Sequence, residues 1–341
     1  EMGGPRNGPD FQNLHRGKES LTLDLKSIEG VKIFQQLVRN ADIVIENFRP
    51  QVKYKLGLDY DSLCDINPAI ILASISGFGQ DGPYKDRPGF DQVAQGMSGL
   101  MSITGEPGAG PMRVGIPLAD LSAGLFAAQG ILLALYERMS SGKGQWVQTS
   151  LLQSQIFMLD FQAARYAMNG EIPEQAGNNH PTSIPTGVFK TKDGFINIAA
   201  SGEAIWQKLA IALGHAEWIS EPEFSTAQAR SQNRSKLGDK IDECTKTKST
   251  SDWIAILNDD GVPCGPIYSI DEMFADPQIR HLQISQSVIN SQSTEIPVLT
   301  QPLSLSRTPS TLDKAAPLIG EHTDKILNEL GYKQSEVNHL R

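Results

Sequence analysis

The sequence predicts an α/β protein with a parallel sheet in its larger part and a second, smaller α+β domain. Short apolar runs alternate with helix-like periodicity from residue 20 to residue 76, and such alternation is typical of parallel sheets. The run Ile70-Ile71-Leu72-Ala73-Ser74-Ile75-Ser76 is nearly continuous in apolar residues, as expected for a strand that is buried on both faces. Near residue 174 this pattern gives way to a polar loop and a hairpin.

Each element of the larger part has its own local signal. Strands are expected at residues 20–25, 41–46, 70–76 and 146–150, with helices at residues 28–38 and 60–65. Residues 117–140 have the pattern of one long helix that is apolar on most sides, which predicts that this helix lies in the core. After the last strand, the apolar spacing of residues 152–166 predicts one continuous amphipathic helix.

The second half predicts a hairpin followed by helices. Lys192-Asp193-Gly194 separates two strand-like runs, residues 188–191 and 195–199, as in a hairpin with a tight turn. Residues 203–285 are mainly helical in pattern, residues 286–306 suggest short strands, and residues 323–330 predict a last helix.

The composition argues against several classes of protein. The 341 residues carry 30 Lys and Arg against 39 Asp and Glu, a net charge of −9, so a broad basic face for duplex nucleic acid is not expected. Cys64, Cys244 and Cys264 form no CxxC pair or His/Cys cluster, which argues against a disulfide framework and a metal site. The apolar stretch over residues 121–136 is shorter than the roughly 20 residues that span a bilayer, and residues 1–9 contain no apolar signal core. We therefore expect a soluble cytoplasmic protein with no membrane or nucleic-acid partner.

The ends of the predicted parallel strands are the expected ligand site. In such sheets ligands bind beyond the carboxyl ends of the strands, which here are residues 46–50 and 77–84, both rich in Gly, Pro and polar residues. A Gly-rich loop can bring backbone N–H groups close to a ligand, although it is as often simply a turn. The sequence contains no P-loop, GxGxxG, HExxH or GxSxG motif.

Several longer segments resemble the family III CoA-transferases, the group that contains the formyl-CoA and carnitine-CoA transferases. They follow the family order along almost the whole chain: Glu46-Asn47-Phe48-Arg49-Pro50, Leu56-Gly57-Leu58-Asp59-Tyr60, residues 74–84, Arg87-Pro88-Gly89-Phe90-Asp91, Gly142-Lys143-Gly144-Gln145, Gly261-Val262-Pro263-Cys264-Gly265-Pro266 and Gly320-Glu321-His322-Thr323. A chance match to one motif would not reproduce this order.

The resemblance implies a fold and a reaction. The fold is a large Rossmann-like CoA-binding domain over residues 1–173, here without the family's first strand and helix, a small domain over residues 174–299, and a C-terminal segment over residues 300–341 that returns to the large domain. Two such chains form an interlocked-ring homodimer. The reaction moves CoA from an acyl-CoA donor to a small carboxylic acid through a mixed anhydride and an enzyme-bound thioester, so acyl-CoA is a substrate and no cofactor is held permanently.

By the same resemblance, CoA contacts are expected at two groups of residues. The first group is His15, Arg16 and Lys18, and the second is Asn47, Phe48, Arg49, Lys55, Arg87 and Phe90. Arg provides forked donors and Lys a point charge, and both suit phosphate. Taken singly, each of these cations is more often a solvated surface residue, but as a set at the family positions they favour binding.

One departure from the family affects the chemistry directly. The family's nucleophilic aspartate corresponds to Gln153 in Leu151-Leu152-Gln153-Ser154-Gln155, and an amide is a very poor nucleophile. Asp91, in a loop that the family places near the reacting centre, ranks first as a substitute. Asp160 ranks second, because on a continuous helix it would lie about 10 Å from Gln153 along the axis. Asp120, at the start of a long helix, is expected to interact with the helix N-terminus.

Two alternatives stay open at this point. The missing aspartate is compatible with a catalytically silent acyl-CoA binder. The related acyl-CoA racemases use a histidine and an aspartate at positions that here hold Phe90 and Gln153, so racemase activity is less expected than transfer. Arg165 could pair with a second carboxylate of the acceptor or form a surface ion pair.

Overall fold

The computed structural model describes residues 8–340. Residues 1–7, which belong to the stretch without a predicted signal core, and Arg341 lie outside this part. The elements in chain order are α1 (Pro9–His15), α2 (Ile28–Asn40), β1 (Ile43–Glu46), α3 (Pro50–Leu56), α4 (Tyr60–Ile66), β2 (Ile71–Ser76), α5 (Asp91–Met97), α6 (Leu100–Ile103), α7 (Leu118–Ser141), β3 (Trp146–Ser150), α8 (Leu151–Phe157), α9 (Phe161–Asn169), β4 (Thr186–Lys190), β5 (Phe195–Ala199), α10 (Glu203–Ala212), a short 3-10 helix (Ala216–Ile219), α11 (Ala227–Gln232), α12 (Arg234–Thr245), α13 (Thr250–Asp259), β6 (Cys264–Pro266), α14 (Ile270–Ala275), α15 (Pro277–His281), β7 (Ser285–Ile289), β8 (Glu295–Leu299), α16 (Thr323–Glu329) and α17 (Gln334–His339).

The expected parallel sheet is present, with strand order β1-β2-β3. Both pairings are parallel, and their registers place Glu46 opposite Ser74 and Ser76 opposite Ser150. β2 is the central strand, and its residues 71–74 are fully buried, which explains its nearly continuous apolar sequence. The carboxyl ends of the three strands therefore meet at one edge of the sheet.

The strand predicted at residues 20–25 is not formed. Residues 20–24 have no regular secondary structure, and residues 25 and 26 lie in a turn. This segment lies against the C-terminal segment, where the Thr22 N–H donates to Thr323 Oγ1 over 3.2 Å and the His322 N–H donates to the Ser20 carbonyl over 2.9 Å. Backbone groups of Ser20 and Thr22 that a neighbouring strand would otherwise pair are thus hydrogen-bonded to residues 322 and 323, at the start of α16.

α7 is as long as predicted but is enclosed on one side only. Its small residues Ala119, Ala123, Ala127 and Ala134 are buried against the sheet side. Its large residues are exposed: Leu125, Leu132, Leu133, Tyr136 and Met139. The prediction of a core helix is therefore wrong within this chain, because small residues permit close packing on one face while the bulky apolar face is left uncovered. By length and mean hydropathy (1.7), α7 is the one helix in residues 8–340 that could also cross a membrane.

The single helix predicted at residues 152–166 is also wrong. The helix ends at Phe157, and Asp160, directly before α9, has a φ of 49°. A positive φ is uncommon for a residue other than glycine and ends helical geometry. The distance of 10 Å that assumed one continuous helix consequently does not apply.

The second half has its own sheet and core. β4, β5 and β6 form an antiparallel sheet that packs with α10, α12 and α13 around Trp206, Phe224 and Trp253, and the predicted β4–β5 hairpin is confirmed. β7 and β8 form a separate hairpin. α16 and α17 pack on α2 through Leu327, Val337 and Ile33. The domain limits at residues 173 and 299 stay predictions.

Candidate active site

The candidate site lies at the carboxyl edge of the parallel sheet. Residues 47–49 follow β1, residues 77–89 follow β2, and α8 begins directly after β3. The Leu152 N–H donates to the Gly77 carbonyl over 3.1 Å, which ties the loop after β2 to α8. Two loops and the start of α8 thus follow the three strand ends on one surface, as expected for a ligand site of a parallel sheet.

Residues 77–89, the strap loop, form a closed loop with touching ends. A Cβ on Gly77 would lie 2.8 Å from the Gly89 Cα, and a Cβ on Gly89 would lie 2.7 Å from the Gly77 Cα. Both ends of the strap loop are therefore glycine because the two backbones cross in contact. Within it, the Arg87 guanidinium lies 3.7 Å from the centre of the Tyr84 ring, and this stacking orients the cation.

A buried lysine joins the strand ends beneath these loops. The Lys53 side chain, on α3, is 0% exposed, and its Nζ lies 3.2 Å from Glu46 Oε1 and 3.2 Å from Ser74 Oγ. It also donates to Gln80 Oε1 in the strap loop and lies 4.5 Å from the centre of the Trp146 ring. Burial lowers the pKa of Lys53, and the charge of Glu46 opposes that shift.

Sequence reasoning missed Lys53. A lysine between exposed neighbours on a short helix has the pattern of a surface residue. The only available signal was the Glu46 carboxylate seven residues earlier, and that separation spans a strand, a turn and a helix rather than a regular spacing.

The second predicted CoA group is brought to the strand-end edge. Asn47, Phe48 and Arg49 are exposed after β1, and Lys55 is exposed on α3. Arg87 is exposed on the strap loop, and Phe90, which is 56% exposed, precedes α5. The Phe48 N–H donates to Glu46 Oε2 over 2.8 Å, which fixes the backbone of this loop. Their CoA contacts stay predictions.

The first predicted CoA group lies at the end of α1. His15 Nδ1 is 3.3 Å from Lys18 Nζ, and Arg16 donates to Asn13. The Gly17 N–H donates to the Lys314 carbonyl over 2.9 Å, so this segment contacts the C-terminal segment.

Gln153 is exposed near the start of α8. Its backbone N–H donates to Ser150 Oγ over 3.2 Å, which caps the helix. The side chain lines a cleft of about 420 Å³ between α7, β3 and α8, together with Phe126, Gly130, Leu133, Gln148 and Phe157. The cleft is large enough for a small acyl group, and its lining contains no carboxylate.

Asp91 is half-buried, and both oxygens of its carboxylate accept hydrogen bonds. Oδ1 accepts hydrogen bonds from the N–H groups of Ala119 (2.8 Å) and Asp120 (3.4 Å), at the start of α7. Oδ2 accepts from Gln95 Nε2 over 2.7 Å. The structure thus gives Asp91 the cap of α7. Asp120 lies in the first turn of that helix, as expected, and burial followed by the charge of Asp91 raises its pKa.

The other candidate residues have simpler surroundings. Asp160 is exposed, and no side-chain cap hydrogen bond is formed at the start of α9. Arg165 forms an ion pair with Glu171, which favours the surface role over recognition of an acceptor. The described residues include no group of three metal-ligating side chains, and all three cysteines are free thiols.

The parallel sheet, with exposed loops and cations at its carboxyl edge, defines a mixed α/β protein. Residues 3–323 match the model of CoA-transferase family III. The chain belongs to this family, as the order of its motifs predicted.

Curated relatives and solved structures agree with this membership. The succinate–glutarate CoA-transferase of Agrobacterium fabrum is 39% identical over 320 residues, covering 94% of this chain and 80% of that protein. The human succinyl-CoA:glutarate CoA-transferase is 33% identical, covering 97% and 76%. A CaiB/BaiF family protein from Brucella suis has a TM-score of 0.81 at 38% identity, covering 94% and 83% of the two chains.

Proposed function

We propose that this enzyme transfers CoA from succinyl-CoA to a small dicarboxylic acid of the glutarate type. The observation that carries the proposal is the exposed strand-end edge, where Arg49, Lys55 and Arg87 surround loops of the family sequence. Such cations suit the phosphates of CoA. Relatives are named for succinyl-CoA with glutarate, citramalate or mesaconate, and these acids supply the acceptor class.

In the overall reaction, the succinyl group on the CoA thiol is replaced by the acyl group of the acceptor acid, and succinate is released. In the family route, an enzyme carboxylate attacks the thioester carbonyl, the C–S bond breaks, and CoA thiolate leaves with the electron pair. The thiolate then attacks the enzyme carbonyl of the anhydride, which releases succinate and leaves CoA as an enzyme thioester. The acceptor carboxylate reverses both steps. Gln153 has no ionised oxygen for the first attack.

We place the attacking carboxylate on Asp160 rather than Asp91. Asp91 accepts three hydrogen bonds, and each of them draws on the lone pairs that an attack would need. Asp160 is exposed and sits at a backbone break with positive φ, a kind of strain that is concentrated at functional sites. This proposal places Asp160 before Asp91, the opposite of the order expected from the sequence.

Intact-protein mass spectrometry with succinyl-CoA tests this assignment. After trapping with hydroxylamine and peptide mapping, we expect a modified Asp160 in the wild type. The Asp160→Asn variant should lose the adduct and at least about 100-fold of the transfer rate, as expected when a covalent nucleophile is removed. Asp91→Asn should keep the adduct in whatever fraction remains folded. An adduct on Asp91, or full transfer by Asp160→Asn, would contradict the assignment.

A silent acyl-CoA binder is the second candidate, and Gln153 is the observation that favours it. This alternative expects CoA to bind while no donor and acceptor pair turns over and no adduct forms. The same mass-spectrometry experiment, combined with a CoA-binding measurement, separates the two functions. A racemase has no support from this site, because neither Phe90 nor Gln153 can carry a proton.

We further propose a cytoplasmic homodimer in which the bulky face of α7 is covered by a second copy of the chain. Five large apolar residues on this helix are more than 60% exposed: Leu125, Leu132, Leu133, Tyr136 and Met139. Contiguous apolar surface of this kind marks an interface. The opposite face of α7 already packs on β2, β3, α5 and α8, as in a globular domain rather than a membrane span.

Replacing Leu132 with Glu tests the interface. Leu132 is 66% exposed, so burying a carboxylate at this position in a dimer would be costly. We expect size-exclusion chromatography with light scattering to show a shift from dimer to monomer. Ile211→Glu is the matched control, since Ile211 is 60% exposed on α10 and should leave the dimer unchanged. An unaltered mass for Leu132→Glu would reject this interface.

A further inference from the structure

We propose that Lys53 is a positioning residue that fixes the strap loop (residues 77–89) for acyl-CoA binding through the side chain of Gln80. The inference rests on the proposed function only in that the ligand carries CoA. Lys53 itself faces no solvent, since its side chain is 0% exposed, so it acts on the ligand through the loop above it.

The contacts of Lys53 connect four separate segments. Its ammonium donates to Glu46 on β1, to Ser74 on β2 and to Gln80 on the strap loop. Trp146 on β3 lies under the ammonium and donates to Ser74 Oγ over 2.9 Å. One charged group thus contacts the strap loop and residues of all three strands.

Burying the Lys53 ammonium costs free energy, which favours a functional role for this residue. A buried ion pair contributes little net stability compared with apolar residues of similar volume. Glu46 uses its second oxygen to hold the Phe48 N–H. The pair therefore fixes both predicted CoA loops at once, the loop after β1 through Glu46 and the strap loop through Lys53.

Gln80 connects Lys53 to the strap loop through one end of its side-chain amide. Lys53 occupies Gln80 Oε1, while Gln80 Nε2 is buried and has no hydrogen-bond partner. Because the amide oxygen is fixed by the ammonium, the amide nitrogen is held as an open donor. A buried donor without a partner is costly in a folded protein, and an acceptor on a bound ligand would satisfy it. Elsewhere the strap loop is held by the Gly79 N–H, which donates to Ser76 Oγ, and by its crossing glycines.

Protonation of Lys53 should then affect ligand affinity. The titratable groups that face its ammonium are Glu46 from β1, Tyr54 from its own helix and Asp59 from the turn after α3. Burial lowers the pKa of Lys53 below that of an ordinary lysine, so the ammonium is lost at a lower pH than exposed lysines lose theirs. A neutral amine holds Gln80 more weakly. Affinity should therefore fall as pH rises through the Lys53 pKa.

Gln80→Ala is the variant that tests the inference, because it cuts the link to the loop and leaves the buried ion pair intact. We expect the Kd of a thioether analogue of succinyl-CoA, measured by calorimetry from pH 7 to pH 10, to rise about tenfold at pH 7, the equivalent of one strong hydrogen bond. The additional fall in wild-type affinity toward high pH should disappear in the variant. Exposed cations titrate alike in both proteins, so the difference isolates Lys53.

Hydrogen exchange provides a readout that needs no ligand. In ligand-free protein, Gln80→Ala should accelerate amide exchange in peptides from residues 77–89 and leave peptides from β4 and β5 unchanged. Lys192→Met, at an exposed hairpin lysine, is the control and should match the wild type in both experiments. Lys53→Met should reproduce the Gln80→Ala affinity if it folds.

The outcomes separate this inference from the proposed function. Unchanged exchange together with unchanged affinity and pH profile in Gln80→Ala would overturn the role of Lys53. Wild-type protein that binds the analogue but transfers no CoA would overturn only the transfer activity. Failure of the wild type to bind the analogue would overturn both.

Discussion

Replacing Gln153 with Asp should raise the rate of CoA transfer by on the order of 100-fold or more, because it restores an ionisable oxygen at the family's nucleophile position. The substitution keeps the backbone hydrogen bond from residue 153 to Ser150 Oγ, so α8 keeps its cap. It places the carboxylate at the cleft between α7, β3 and α8. Steady-state conversion of succinyl-CoA with glutarate measures the change. Because the new carboxylate lies in this cleft, whose lining does not include Asp160, the trapped adduct should move from Asp160 in the wild type to residue 153 in the variant.

Two matched variants show whether the gain depends on a carboxylate at that position. Gln153→Asn has the shape of the aspartate without its charge and should give no gain. Gln148→Asp adds the same carboxylate on β3 in the same cleft and should also leave the rate unchanged. Equal rates for Gln153→Asp and Gln153→Asn would show that this position is not where the thioester carbonyl binds.

Gly89→Ala should have the largest effect on CoA binding among conservative substitutions in the strap loop. The added methyl would lie 2.7 Å from the Gly77 Cα and 3.2 Å from the Phe78 ring. Backbone cannot move aside as a flexible side chain can, so the loop must open. We expect a destabilisation of about 1–3 kcal/mol, typical of overpacking, and a Kd for the acyl-CoA analogue that rises by about tenfold or more.

Gly96→Ala is the control for this experiment. Gly96 lies inside α5, and a methyl there would meet only the Met101 sulfur at 3.6 Å. Alanine is favoured over glycine inside a helix by about 1 kcal/mol, so this variant should be as stable as the wild type or more stable. Chemical denaturation and calorimetry measure both properties. If Gly89→Ala binds the analogue with wild-type affinity, the closed form of the strap loop is not required for binding.

The sequence predicted the sheet because its signals are local. The apolar run of β2 reflects burial on both faces, and the turn residues after β1 and β2 mark where the strands end. The family motifs indicated which residues to expect at the CoA site and showed that position 153 corresponds to the family's nucleophile. These features depend on residues that are close in the chain, and the structure confirms the sheet and the hairpin.

What the sequence could not predict depends on contacts between distant residues. Asp91 looked like a free carboxylate, but the start of α7, nearly thirty residues later, uses it as a cap. Lys53 looked like a surface lysine because the burial of its ammonium depends on β2, β3 and the strap loop together. The interruption of the helix at Asp160 had no signal in the sequence, because the helical spacing of apolar residues continues across it.

The distribution of tryptophans gives the two halves of the chain separate optical reporters. Trp206, Trp218 and Trp253 all lie in the core formed with β5, whereas Trp146 is on β3 of the parallel sheet. Intrinsic fluorescence of the wild type will thus mainly follow melting of the second half. A Trp146→Phe variant, compared with the wild type, would yield a difference signal from the half that contains the parallel sheet. Non-coincident transitions would then reveal whether the two cores unfold as one cooperative unit or in sequence.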